Sequence, residues 1–368
     1  MKKVALGSVI RSLNTGLNPR KFFQLNTPDS QFYYVTIKEM INGKIVYNEN
    51  TDRLNAEALQ LCNKRSNLEK GDVLFSGTGT IGKTVVLEET PTTWNIKEGV
   101  YTIKPDPNFV DSKYLSYVLS SSPIKNKYMV NVAGGTVKSL KMADLEKTEI
   151  PLPSLSEQQQ IAATLDKIQS AIGNKKRQLS LLDEAVKSEF VEMFGDPIFN
   201  SKNFPTKKVI DVVTMQRGYD LPVQNRDCTG KIPVFGSNGI LGNHNLAKMD
   251  KGIITGRSGT IGEVYMCETP FWPLNTTLFS NDTHGNNICY LKFLLEFFDL
   301  KRFKSGVGVP TLNRNEFHDE QIIDVPLELQ NQFASFVQQI DKSKFIVKQQ
   351  ISDLQELLDS KMQEYFGE

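Results

Sequence analysis

The sharpest chemical motif is the segment GTGTIGKT at 77–84, which satisfies the phosphate-loop pattern GxxxxGK[ST]. In such a loop the backbone amides cradle phosphates, and the lysine, here Lys83, reaches the β- and γ-phosphates. Three features oppose nucleotide binding. A phosphate loop opens a helix whose N-terminus helps to hold the anion, yet the following VVLEETP is β-branched and runs into Pro91. The motif returns from Gly256 as GRSGTIGEV, with Glu263 and Val264 in place of Lys83 and Thr84. No hydrophobic strand ending in a suitable aspartate follows. A P-loop NTPase working through 77–84 is therefore the weaker alternative.

What both copies keep is a tight glycine turn between two strands. That turn also suits a DNA-contacting loop, since glycines allow close backbone approach. Thr78, Thr80 and Lys83, or Arg257, Ser258 and Thr260 in the second copy, can bond phosphates or base edges. Arg257 is the best base reader among them, because arginine pairs bidentately with guanine in the major groove. The competing reading is a purely structural hairpin. A second pair of loops, GGTVKSLK at 134–141 and GVGVPTLNRN at 306–315, offers Thr136, Lys138 and Ser139, and Thr311, Asn313 and Arg314. Its alternative is a helix-entry turn with solvated charges. Further loop residues suited to DNA are Arg217 and Tyr219 in MQRGYDLP and Asn238 in GSNGILGN, while LKRFKSG at 300–306 reads first as a solvated helix end.

Catalytic constellations are missing from the sequence. The histidines His244, His284 and His318 form no HxxxH or HxH pair, no methyltransferase (N/D)PP(Y/F) motif occurs, and there is no obvious nuclease PD…(D/E)xK set. The four cysteines, Cys62, Cys228, Cys267 and Cys289, have neither zinc-ligand nor disulfide-framework spacing. With no secretory signal and no membrane-length apolar run, the expectation is a reduced, cytoplasmic location without membrane contact. The near balance of 43 basic and 42 acidic residues tells against a protein that coats DNA without regard to sequence.

The elements that carry these loops form an internal repeat. The two glycine turns are each followed by a tryptophan, Trp94 and Trp272. AGGTVKSL from Ala133 corresponds to SGVGVPTL from Ser305, EIPLP from Glu149 to DVPLE from Asp324, and EMFGD from Glu192 to EYFGE from Glu364. KKVALGSVI near the start is echoed by KKVIDVVTMQRG from Lys207. Each half opens with short β-branched runs, such as 32–37, 72–75, 84–87 and 252–255, joined by turns. Each closes with a heptad-spaced helix. The first begins near Ser156 and Glu157, with a seam of Ile161, Leu165, Ile168, Ile172, Leu179, Leu182 and Val186. The second seam is Phe333, Val337, Ile340, Val347, Ile351, Leu354 and Leu358. Lys175 interrupts one seam and Lys344 the other. Seams this long suit another helix, and the two are expected to pack as a strut.

This arrangement resembles the specificity subunit of Type I restriction–modification enzymes across essentially the whole chain. The resemblance is carried by GDVLFSGTGTIGK at 71–83, IPLPSLSEQQQIAATLDKI at 150–168 and LLDEAVKSEF at 181–190. VPLELQNQFASFVQQID in the second half is shorter and lacks the second proline, which leaves that helix start open. The expected fold is α+β: two pseudo-symmetric halves, each a mixed α/β target-recognition domain followed by a long helix, the helices pairing as an antiparallel coiled coil. The expected divisions are 1–152 and 203–326 for the recognition domains, with 153–202 and 327–368 for the helices. The resemblance implies a non-catalytic subunit that reads a bipartite, asymmetric site on double-stranded DNA. It implies two methyltransferase and two restriction subunits as partners, with S-adenosylmethionine, ATP and Mg bound by those partners. A self-contained modification enzyme and a DNA-independent scaffold are the remaining alternatives.

Overall fold

The structure, a computed structural model, describes every residue except 1, 21, 133–137, 228, 307 and 368. It divides into two compact units: Met1–Lys175 with Gln350–Glu368, and Lys176–Gln349. The units therefore part in the middle of each long helix, rather than at the helix ends.

Each unit is built on a four-stranded antiparallel sheet of the same order. In the first unit the strands run Ile10–Thr15, Val100–Pro105, Val73–Ser76, Thr84–Val86. In the second they run Thr214–Arg217, Thr277–Asp282, Gly252–Gly256, Val264–Cys267. Strands Val100–Pro105, Val73–Ser76 and Gly252–Gly256 are buried at every residue, so none shows the strict alternation of a half-exposed strand, and the buried Lys104 is paired with Asp72 at 3.0 Å. A three-stranded sheet accompanies each. Tyr33 pairs in parallel with Trp94, and Val234 in parallel with Trp272, so the repeated tryptophans hold matching positions. Two-stranded ribbons, Lys3–Ala5 with Glu149–Pro151 and Thr206–Lys208 with Gln321–Ile323, tie the start of each mixed region to its end.

The long helices are Leu155–Phe194 and Leu327–Phe366. The first starts in a capping box built on Ser154, not on Ser156. Ser154 N–H and its hydroxyl both donate to Glu157 Oε2, at 2.9 and 2.7 Å. Ser154 precedes the first helical residue, so its side chain meets free amides, whereas Ser156 already lies inside the helix.

Every seam residue is buried or half-buried. In the first unit, Ile161, Leu165, Ile168 and Ile172 share a core with Ile351, Leu354, Leu358 and Phe366. In the second, Val186, Phe190 and Phe194 share a core with Phe333 and Val337. Each unit thus pairs the early half of one helix with the late half of the other, which is the antiparallel sense. The seam interruption at Lys344 is neutralised across the pair: its Nζ lies 2.6 Å from Asp183 and 3.5 Å from Asp341.

A buried glutamine fixes each helix start to the domain above it. Gln158 Oε1 accepts from Asp111 N–H at 2.9 Å, while its Nε2 donates to Phe109 and Pro153 carbonyls at 2.9 and 3.0 Å. Gln330 Oε1 accepts from Asn287 N–H at 2.9 Å, and its Nε2 donates to Asn286 Oδ1 and the Val325 carbonyl at 2.7 and 2.8 Å. Asp111 and Asn287 are themselves N-caps, of Ser112–Ser120 and Ile288–Phe297. The second helix therefore begins at the equivalent place without the second proline.

Candidate nucleic-acid interface

The glycine turn and the second loop, about 55 residues apart in each half, are joined by the same backbone contacts in both units. In the first unit Leu140 N–H donates to the Gly77 carbonyl at 2.9 Å, Gly79 N–H donates to Lys138 at 2.8 Å, and Thr78 bridges to Ser139. In the second, Leu312 N–H donates to Arg257 at 2.8 Å, Gly259 N–H donates to Pro310 at 3.0 Å, and Ser258 bridges to Thr311. Gly79 and Gly82, like Gly259 and Gly262, have φ between 69 and 94°, a left-handed conformation that lets the turn close tightly.

This brings together Thr78, Thr80, Lys138 and Ser139 in one unit, and Arg257, Ser258, Thr260, Thr311, Asn313 and Arg314 in the other. Thr80, Lys138, Thr260, Thr311 and Asn313 are exposed, and Thr78, Ser139, Arg257, Ser258 and Arg314 are half-buried. Thr136 lies outside the described residues. In the second unit Arg217, Arg257, Thr311, Asn313, Arg314 and Glu316 line one concavity of about 500 Å³. Arg217 pairs with Asp220 at 3.1 Å, and Arg314 donates to the Met215 carbonyl at 3.4 Å.

Other candidates are placed elsewhere. Lys83 Nζ donates to the carbonyls of Ile37 and Met40, both at 3.0 Å, so its charge pins the segment after the strand Phe32–Val35. The turn it belongs to runs into the strand Thr84–Val86, where a phosphate loop would need a helix. Tyr219 is packed against Phe279 and Trp272, with ring centroids 5.7 and 6.4 Å away. Asn238 is exposed in the turn between Ile232–Gly236 and Gly239–His244. From the basic cluster, Arg302 lies over the rings of Phe298 and Phe303, at 4.2 and 4.7 Å.

His318 also holds this surface in place, although nothing in its sequence surroundings marks it out. It is buried in the short helix Arg314–His318, and its Nε2 accepts from Met215 N–H at 3.1 Å. The helix that carries Arg314 therefore takes both the amide and the carbonyl of Met215. Burial, reinforced by the Arg314 charge, holds the His318 pKa below the ordinary histidine value. The unfolded chain then binds the proton more readily than the native one. Stability from this contact is complete above about pH 6.5 and is lost as pH falls towards the lower native pKa. Thermal melting from pH 8 to pH 5 should show this acid-side loss, and His318→Gln should flatten it.

Among the described residues, no group of three His, Cys, Asp or Glu side chains could hold a metal, and no helix is long and apolar enough to cross a membrane.

The family model of the Type I restriction modification DNA specificity domain matches residues 1–183 and again 189–356. The MjaIX specificity subunit of a Type I restriction enzyme from Methanocaldococcus jannaschii is 26% identical over 382 aligned positions, covering 91% of this chain and 86% of the relative. In fold, the chain is similar to the S subunit of a Type I restriction–modification system from M. genitalium, with a TM-score of 0.59 and 18% identity. That match covers 100% of this chain and 96% of the other. A chain solved for the complex assembly and conformational transition of the type I R-M system gives a TM-score of 0.58 at 16% identity, covering 99% and 97%.

Proposed function

Since the chain belongs to the family of the Type I restriction modification DNA specificity domain, we propose that it reads a bipartite, asymmetric DNA site, one half-site with each unit. The observation that carries this reading is the repeated pair of bridged loops, Thr78 to Ser139 and Ser258 to Thr311. The scaffold is the same twice, while the side chains mounted on it differ. Backbone contacts hold the two loops as one surface, and the hydroxyl, amide and guanidinium groups on it are the types that bond phosphates and base edges.

The chain does no chemistry of its own. Methyl transfer and cleavage belong to two methyltransferase and two restriction subunits, which bind S-adenosylmethionine, ATP and Mg themselves. The paired helices set the spacing between the half-sites. Single-molecule mapping of methylated positions, in a host without other modification systems, tests the proposal. One split, asymmetric motif should appear only when this gene is expressed with its methyltransferase partner. The same motif without this gene, or a continuous one with it, would contradict the reading.

A further inference from the structure

The two units present unlike chemistry at one equivalent place, and the strand register shows which residues correspond. Tyr101 lies between Thr15 and Phe75 in the first sheet, and Leu278 lies between Arg217 and Thr255 in the second. Gly77 and Arg257 each accept the amide of the leucine in the second loop, Leu140 or Leu312. Met142 and Arg314 each open the short helix that follows. The second unit therefore carries Arg217, Arg257 and Arg314 where the first carries Thr15, Gly77 and Met142.

The first unit cannot hold an arginine there. A Cβ on Gly77 would stand 2.2 Å from the Tyr101 ring. The tyrosine hydroxyl donates to the Leu140 carbonyl, which holds the ring across the place. In the second unit the shorter Leu278 lies at the wall of the open concavity that the three arginines share. Arg217 and Arg314 each have an acceptor within the chain, Asp220 and the Met215 carbonyl. Arg257 makes no side-chain hydrogen bond or ion pair among the described residues. Its backbone is fixed on both sides, since its N–H donates to Thr276 at 2.8 Å and its carbonyl accepts from Leu312 at 2.8 Å. A guanidinium with a free fork on a fixed backbone suits bidentate pairing to guanine O6 and N7, while committed arginines beside it suit phosphates.

We propose that Arg257 reads a guanine in the half-site of the second unit, that Arg217 and Arg314 hold the adjacent phosphates, and that Tyr101 closes the same subsite in the first unit. This rests on the reading of the chain as a DNA-specificity subunit. The test uses the full chain assembled with its methyltransferase subunits on duplexes carrying the mapped site. Each G·C pair is replaced in turn, and each guanine is replaced in turn by 7-deazaguanine, which lacks the N7 acceptor. Wild type should prefer guanine roughly 5- to 150-fold at one position of one half-site. Arg257→Ala should lose that preference, become indifferent to 7-deazaguanine there, keep the other half-site's preferences and melt as wild type does. An even loss across all sequences with a weaker salt dependence would make Arg257 a phosphate contact and overturn the inference. Unchanged preferences in Arg257→Ala would overturn it as well. A wild-type assembly with no sequence preference at all would instead overturn the underlying functional reading.

Discussion

Leu165→Asp should unfold the first unit. Leu165 is fully buried, in the core that the first long helix shares with Leu358 and Phe366 of the second. Removing a buried leucine side chain costs about 2–5 kcal/mol through lost burial and the cavity left behind. An unpaired carboxylate in the same place adds several kcal/mol of desolvation. Domains are stable by only about 5–15 kcal/mol in total, so the sum approaches or exceeds what is available. The control is Leu181→Asp on the same helix, where the leucine is 53% exposed and the change should stay within about 0.5 kcal/mol. Urea unfolding followed by circular dichroism separates the two variants. Wild-type stability in Leu165→Asp would mean that the seam is not a packed core.

Gly256→Ala should disable the recognition surface of the second unit while leaving the first intact. An added Cβ would lie 1.7 Å from the Thr260 carbonyl oxygen, which is backbone and cannot swing aside. The turn carrying Arg257, Ser258 and Thr260 must open by more than an ångström to admit one methyl group. Overpacking of this kind costs roughly 1–3 kcal/mol, and here it falls directly on the loop geometry. The equivalent first-unit position, Ser76, tolerates a side chain because its hydroxyl bridges the turn, donating to the Thr80 carbonyl at 2.6 Å and accepting from Lys83 N–H at 2.7 Å. Sequence preference should therefore vanish in one half-site and persist in the other. Equal loss in both would show that the turn acts globally rather than locally.

Much of this organisation was legible in the sequence because it is written twice. The glycine turns, the tryptophans after them and the heptad seams each recur in order, and repetition separates a structural constraint from a chance match. The same comparison ruled against the phosphate-loop reading, since Glu263 replaces Lys83 in an otherwise similar turn. Contacts made at long range were not legible. Nothing local to GTGTIGK announces that Lys83 will reach Ile37 and Met40, more than forty residues earlier. Nor does Tyr101 announce that it fills the space above Gly77. The glutamine latches could have been found, because Gln158 and Gln330 stand at the same offset from the leucines that start the helices. A glutamine in a polar helix turn reads as solvated, however, until three partners are seen around it. Arg217 and Arg314 are separated by nearly a hundred residues, and only the sheet register brings them to one concavity.

If two independent reading units share one chain, exchanging the mixed region of one should leave the reading of the other unchanged. Residues 203–326 would be replaced by the corresponding region of a relative with a different target, leaving both long helices untouched. Methylated positions would then be mapped in the presence of the methyltransferase partner. Independent reading by the two units predicts that one half-site changes to the relative's, while the other half-site and the number of intervening base pairs are retained. A motif in which both half-sites change, or neither does, would contradict it.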